Sequence, residues 1–282
     1  MKITGNSRAT VEAVTVENRH VIRKTCIGED SSRLLRQIKK QISYDCTPGI
    51  RTPEVLKIDS RHLSCEVTME FICGLDFVTF TNQSSYDEFE DSVRKLAIMV
   101  KKEFEKSEVA KFPIVSWLAK VESVTSGSRN RGVPDDVLDI VRKFLTDSIP
   151  EEIPFGACHG DLTFSNLMVE RDGTICTFDF LDPPIETPYE DVSKLLQDTE
   201  FFWTLTKYSE QCDRTRVMIM WSHARRIILE ELEEWIDPKI LAMFQVMTLM
   251  RIIPYTSDES VIKYIVDCIL RKVHETDSTL WR

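Results

Sequence analysis

Hydrophobic and polar positions change period twice along the chain. Over residues 9–27, "ATVEAVTVENRHVIRKTCI", β-branched residues recur at Val11, Val14 and from His20 to Cys26, interrupted by the polar stretch Glu17–Arg19. That pattern predicts two strands joined by a tight turn. Residues 31–44 switch to helical spacing, with Leu34, Leu35, Ile38 and Ile42 on one predicted face and Ser31 or Asp30 as its cap. "TPGIRTPEVL" reads as loop, and "LSCEVTMEFICG" reads as a further strand ending at Gly74. The first 73 residues therefore predict a small lobe of strands with one helix.

From Ser85 the helical period dominates. "SYDEFEDSVRKLAIMVKKEFEKS" opens on Ser85 and Glu88, the spacing of a capping box. Phe89, Val93, Leu96, Ala97, Val100 and Phe104 then share one stripe, with acidic residues in the first turn and lysines later, as the helix dipole favours. Residues 122–134 read as a polar Ser/Gly loop, followed by a helix around Pro134–Thr146. Residues 157–180 hold two short apolar segments between polar loops, and beyond Pro188 two apolar-rich stretches predict largely buried helices. The expected fold class is α+β in two lobes: residues 1–73 as an antiparallel sheet with one helix, and residues 74–282 as a larger, mainly helical lobe.

Composition narrows the function. A chain of 282 residues with 42% apolar content can bury a sizeable core. A formal charge of −10 argues against nucleic acid as a partner, because phosphate neutralisation needs clustered Lys and Arg. The same charge suits a cationic ligand and is equally compatible with a neutral one. Eight scattered cysteines form no CxxC pair, which points to small buried hydrophobes in a reducing compartment. "MKITGNSRAT" has no apolar leader core, and runs such as "VMIMW" are too short to span a bilayer. The expectation is a cytoplasmic protein without membrane insertion, of unspecified oligomeric state.

The chemistry concentrates in "ACHGDLTFSNLMV" and "TICTFDFL", which together carry His159, Asp161, Asn166 and Asp179. Phosphoryl transfer needs a carboxylate beside the acceptor hydroxyl and hard oxygen ligands for Mg2+. Asp161 suits the first role, Asn166 and Asp179 the second, and His159 that of a scaffold whose ring holds the loop. Singly, Asp161 and Asn166 are better explained by turn chemistry, and His159 by a satisfied core position. Asp179 is different: inside an apolar strand its carboxylate would be buried at considerable cost unless a cation met it. A metal-dependent hydrolase is the weaker alternative, because His20, His62, His223 and His274 show no ligand spacing.

"HGDLTFSN" followed by "TFDFLD" resembles the catalytic core of the aminoglycoside phosphotransferase and choline kinase-like family, relatives of the eukaryotic protein kinases. "PIETPYEDVSKLL" is similar to the family segment whose acidic residue, here Asp191, braces the loop. The resemblance implies a protein-kinase-like fold and ATP or GTP as co-substrate. Lys24 would contact the nucleotide phosphates, the Glu70 carbonyl and the Ile72 N–H would meet the adenine edge, and Asn6 and Ser7 would cover the phosphates where a glycine-rich loop is lacking. Either Glu29 or Gln37 would partner Lys24. Thr163 and Phe164 depart from the family pattern at positions expected to face the cleft and bear on substrate choice. His-Gly-Asp in place of His-Arg-Asp, and the lack of an Ala-Pro-Glu segment, disfavour a protein kinase.

The implied activity is transfer of the γ-phosphoryl group of ATP or GTP to a hydroxyl of a sugar, aminoglycoside or amino alcohol. Trp203, Trp221, His223, Arg251 and Tyr255 are the polar and aromatic candidates for the acceptor region, each with a core or surface role as the simpler explanation. The competing class is a non-catalytic kinase-like protein that binds nucleotide and transfers nothing.

Overall fold

The computed structural model describes residues 2–3 and 9–279. Strands β1 (Lys2–Ile3), β2 (Thr10–Val16) and β3 (Arg19–Ile27) are followed by helix α1 (Asp30–Ser43). The β2–β3 hairpin closes at Glu17 and Asn18, whose φ angles of 48° and 61° give the turn that matches strand twist. Strands β4 (Ile50–Arg51), β5 (Val55–Arg61) and β6 (Ser64–Glu70) come next, and the first sheet has the order β1-β2-β3-β6-β5, antiparallel throughout.

Helix α1 covers this sheet, with Leu34 and Ile38 packed against Cys26, Cys65, Val67 and Met69. Its buried face differs from the expected one. Ile42 is 57% exposed, whereas Gln37 and Gln41 are buried and Gln41 donates to the Pro53 carbonyl. The N-cap position falls at Glu29, whose side chain makes no capping bond, and the Ser31 hydroxyl donates to the Gly28 carbonyl. The expected loop at 47–56 contains β4 and the start of β5. β5 is an edge strand with mostly exposed positions, so Lys57, Asp59 and Arg61 hide its period from a hydrophobicity reading.

The connection 71–73 leads into the second lobe. Here β7 (Gly74–Asp76), α2 (Phe77–Gln83), α3 (Tyr86–Lys106), β8 (Glu108–Lys111), α4 (Ile114–Arg129), α5 (Asp135–Asp147) and β9 (Glu152–Phe155) precede β10 (Leu167–Glu170) and β11 (Ile175–Thr177). Helices α6 (Pro188–Thr199), α7 (Trp203–Lys207), α8 (Arg214–Glu231), α9 (Pro238–Met250) and α10 (Glu259–Thr279) complete it. The second sheet has the order β4-β11-β10-β7, so β4 reaches out of the N-terminal stretch to lie parallel to β11, Ile50 opposite Ile175.

Ser85 and Glu88 form the capping box of α3, and Phe89, Val93, Leu96, Ala97, Val100 and Phe104 are all buried as the stripe predicts. The expected loop at 122–134 is mostly helix. Val121, Val124, Thr125 and Ser128 make a buried face of α4, and Gly127 admits Pro254 so closely that a Cβ would lie 2.9 Å from it. No described helix is long and apolar enough to cross a membrane.

Candidate active site

The β10–β11 hairpin carries one polar loop before it and one after it. In the first, Gly160 has φ +82°, and a Cβ there would come within 2.5 Å of the Leu181 carbonyl, so only glycine lets the two loops touch. The Leu181 N–H donates to the His159 carbonyl, and the Phe178 N–H to the Asn166 carbonyl at 3.2 Å. His159 is buried, stacks on Phe180 with ring centroids 4.1 Å apart, and accepts the Asp161 N–H at Nδ1. Burial drives its pKa down to about 4, against the pull of Asp161 and Asp179, so the ring is neutral.

Asn166 donates its amide to both the carbonyl (2.8 Å) and the Oδ2 (3.0 Å) of Asp161. The other carboxylate oxygen, Oδ1, lies 3.0 Å from the Nζ of Lys194 on α6. Burial pushes the Asp161 carboxyl up, but the Lys194 ammonium outweighs it, leaving Asp161 below the ordinary carboxylate range. Asp161 is therefore ionised and able to accept a proton.

Asp179 corrects the expectation of a carboxylate buried in a strand. β11 ends at Thr177, and Asp179 adopts φ +64° with a half-exposed carboxylate that meets Lys24. Its Oδ1 lies 2.6 Å from the Nζ of Lys24 on β3. Among the described residues Asp179 is the hydrogen-bonded partner of Lys24, in place of either Glu29 or Gln37. Glu70 closes β6, and Ile72 is buried in the connection to β7. The Glu70 carboxylate meets Arg51, whose guanidinium also grips Glu170 at 2.6 Å and 3.0 Å, so one arginine on β4 ties both sheets together where β6 ends. Asn6 and Ser7 lie outside the described residues.

Thr163 and Phe164 do not face the cleft. Both are buried, and Phe164 packs against Phe77 and Trp221 with centroids 4.4 Å and 4.9 Å away. They anchor the loop, which removes them from substrate choice. Of the acceptor candidates, Trp221 is core, His223 pairs with Tyr86 between α8 and α3, and Tyr255 is exposed. Trp203 opens α7 beneath Lys207, and Arg251 pairs with Glu190 at 3.1 Å.

Helix α6 is buried along its whole length and holds the loop from behind. Asp191 accepts the N–H groups of His159 and Gly160, and Asp198 accepts those of Phe164 and Thr204. Burial pushes both carboxyls up to about 6, against the bonds from these amides. Asp191 was foreseeable from the family segment; Lys194 and Asp198 were not singled out. The signal was available, because 191, 194 and 198 fall on one face of a helix.

Behind Asp191 stands the buried Glu103 of α3, which accepts the Tyr44 hydroxyl. Burial first, then the Asp191 charge, pushes the Glu103 carboxyl well above its ordinary value, with Lys40 and Cys158 also close by. A carboxyl with a raised folded pKa is compatible with folding at low pH and opposes it as pH climbs past its unfolded value of about 4.3. Glu103→Gln should therefore raise the melting temperature at pH 8 by about 2–4 °C, roughly 1 kcal/mol for a chain of this size. The gain should vanish near pH 4, where both forms are neutral. Thermal melts across that range check it, and a gain independent of pH would contradict it.

Residues 51–214, more than half of the chain, match the phosphotransferase enzyme family, APH. No curated protein matches by sequence. Among solved structures, the aminoglycoside-3'-phosphotransferase of type VIII superposes with a TM-score of 0.59 at 15% identity, covering 91% of this chain and 93% of the other. Spectinomycin phosphotransferase APH(9)-Ia gives 0.61 at 15% identity over 96% and 92%. Choline kinase LicA from Streptococcus pneumoniae gives 0.57 at 13% identity over 98% and 93%. These likenesses show a shared two-lobed, protein-kinase-like fold. With the family match spanning the connection at 71–73 and the loops at 159–166 and 178–182, the chain belongs to the phosphotransferase enzyme family.

Proposed function

We propose that this phosphotransferase moves the γ-phosphoryl group of ATP or GTP to a hydroxyl of a small molecule, with nucleotide bound between residues 1–73 and 74–282. The observation that carries it is the joint presence of the Lys24–Asp179 pair and the ionised, three-way held Asp161 on loops tied to one hairpin. Solved structures with the same fold were captured with ADP and spectinomycin, or with AMP.

The donor set fits Mg2+. Asp179 offers a half-exposed carboxylate, and Asn166, whose amide nitrogen is committed to Asp161, has its carbonyl oxygen left as a donor. Among the described residues no group of three or more His, Cys, Asp or Glu could hold an ion unaided. Two protein oxygens completed by phosphate and water is the habit of Mg2+. Bound there, the ion neutralises charge on the phosphates during transfer.

In this reading Lys24 meets the nucleotide phosphates, and the main chain of Glu70 and Ile72 meets the base. Asp161 orients the acceptor hydroxyl and takes its proton as the oxygen bonds to the γ-phosphorus. The bond from that phosphorus to the bridging oxygen breaks, and its electron pair leaves with the nucleoside diphosphate. A non-catalytic nucleotide binder is disfavoured because Lys24, Asp161, Asn166 and Asp179 are all present.

The test is calorimetric titration of ATP and GTP with and without Mg2+. Mg2+ should tighten binding of at least one of them by about tenfold or more, equivalent to about 1.4 kcal/mol. Asp179→Asn should erase that dependence while remaining folded by circular dichroism. Binding of neither nucleotide, or binding indifferent to Mg2+ in the unaltered protein, would overturn the proposal.

A further inference from the structure

One side of α1 reaches across to the stretch that follows Asp179. Arg36 and Lys40 lie one turn apart on α1, and Tyr44 stands at its C-terminal end. Arg36 donates to the Asp182 carboxylate at 3.0 Å. The Lys40 ammonium donates to the Leu181 carbonyl at 2.9 Å and to the Glu186 carboxylate at 2.6 Å, and lies 3.9 Å from the Cys158 sulfur. Tyr44 sets its ring edge-on to Phe180, with centroids 4.9 Å apart. A helix of the small lobe thus holds residues 180, 181, 182 and 186 of the large one.

These contacts are unequal. The Arg36 side chain is 61% exposed, and an exposed ion pair contributes little. The Lys40 side chain is only 13% exposed, so its bonds form where water competes least. Its main-chain acceptor is also a particular one. Leu181 is the residue at which the two polar loops touch: its N–H donates to the His159 carbonyl, and its own carbonyl faces Gly160. Lys40 grips that same carbonyl from the small lobe.

Asp179 is fixed by what flanks it. Its φ of +64° is a conformation that a residue other than glycine keeps only where its surroundings enforce it. On the N-terminal side, the Phe178 N–H is bound to the Asn166 carbonyl. On the C-terminal side, Phe180 packs on both His159 and Tyr44, and Leu181 is bound through its N–H and its carbonyl alike. The small lobe therefore meets Asp179 twice, directly through Lys24 and along the chain by way of Lys40.

We propose, resting on the Mg2+-dependent nucleotide binding assigned above, that Lys40 is a positioning residue for Asp179. Its grip on the Leu181 carbonyl keeps residue 179 in the left-handed turn from which the carboxylate meets the metal. Lys40 acts through the backbone and not by contact with the ion.

The experiment repeats the calorimetric titration of nucleotide, with and without Mg2+, on Lys40→Met and Lys40→Arg. In Lys40→Met the Mg2+ advantage should fall to about twofold or less, while Mg2+-free affinity stays within about twofold of the unaltered protein. Lys40→Arg, which keeps a charged donor, should restore most of the advantage. In an Asp179→Asn background, Lys40→Met should remove nothing more, because two residues that act through one another are not additive. Circular dichroism establishes that each protein is folded. Lys40→Gln is the second variant, with the same expectation, should Lys40→Met not fold.

An undiminished Mg2+ advantage in folded Lys40→Met or Lys40→Gln overturns the proposal. So does an arginine variant as impaired as the methionine one, or a further loss in the Asp179→Asn background. Failure of both Lys40→Met and Lys40→Gln to fold overturns it too, by making Lys40 a residue of general stability. None of these outcomes bears on the phosphotransfer assignment. Lack of any Mg2+ advantage in the unaltered protein brings that assignment down, and the role of Lys40 with it.

Discussion

Asp161→Asn should slow nucleotide-dependent transfer by about a hundred- to ten-thousand-fold, the contribution typical of a positioned general base. The substitution is close to isosteric. Asparagine can still accept the Asn166 amide that now reaches Oδ2, so the loop keeps one of its ties. What disappears is the charge that accepts the proton and that holds Lys194 at 3.0 Å. Lys194 is then left as a buried ammonium without its anion, which lowers stability by about 1–3 kcal/mol, the penalty of an unsatisfied buried polar group. Transfer should therefore fall far more than the folded fraction. Nucleotide affinity should hold, because Lys24 and Asp179 form a separate pair. Steady-state formation of nucleoside diphosphate and the nucleotide KM, measured on protein shown to be folded, check the split. A parallel loss of both would mean that Asp161 is a structural residue.

The largest effect on stability is expected at Asp191. Its side chain is fully buried, and its two oxygens accept the N–H groups of His159 and Gly160. Asp191→Ala leaves both donors buried without partners, at about 1–3 kcal/mol each. Against a total stability of about 5–15 kcal/mol, that is a large share. It should lower the melting temperature by about 5–20 °C, at about 2–4 °C per kcal/mol for a chain of this size. Asp191→Asn keeps one acceptor oxygen and should fall between the two. Differential scanning calorimetry of the three proteins gives the order, and an alanine variant as stable as the parent would show that the loop is held by other contacts.

Local signals made parts of the fold legible. The β2–β3 hairpin turns at Glu17 and Asn18 because the residues around them alternate, and α3 begins where Ser85 and Glu88 reciprocate. Helix α4 escaped a sequence reading because its buried face includes Thr125 and Ser128, and its Gly127 makes sense only once Pro254 is packed on it. Strand β4 escaped for a related reason. Two residues have no period of their own, and their partner in β11 is far away in the chain.

The site divides in the same way. His159, Asp161, Asn166 and Asp179 sit on two short stretches of the sequence, which the fold brings onto adjoining loops. The burial of Asp179 was misjudged, because an apolar string gives no warning that φ turns positive there and ends the strand. Lys194 and Asp198 reach the loop only through the packing of α6.

The most direct measurement follows ATP or GTP by phosphorus NMR in the presence of Mg2+ and a panel of hydroxyl-bearing sugars, sugar acids and sugar phosphates. The unaltered protein and Asp161→Asn are compared at equal folded concentration and at nucleotide saturation measured by calorimetry. The predicted result is loss of the γ-phosphate signal, with a new phosphate ester on one acceptor for the unaltered protein. The variant should bind nucleotide equally but produce ester at least about a hundredfold more slowly. Equal rates of ester formation in the two proteins would contradict the assignment of this loop as the site of phosphoryl transfer.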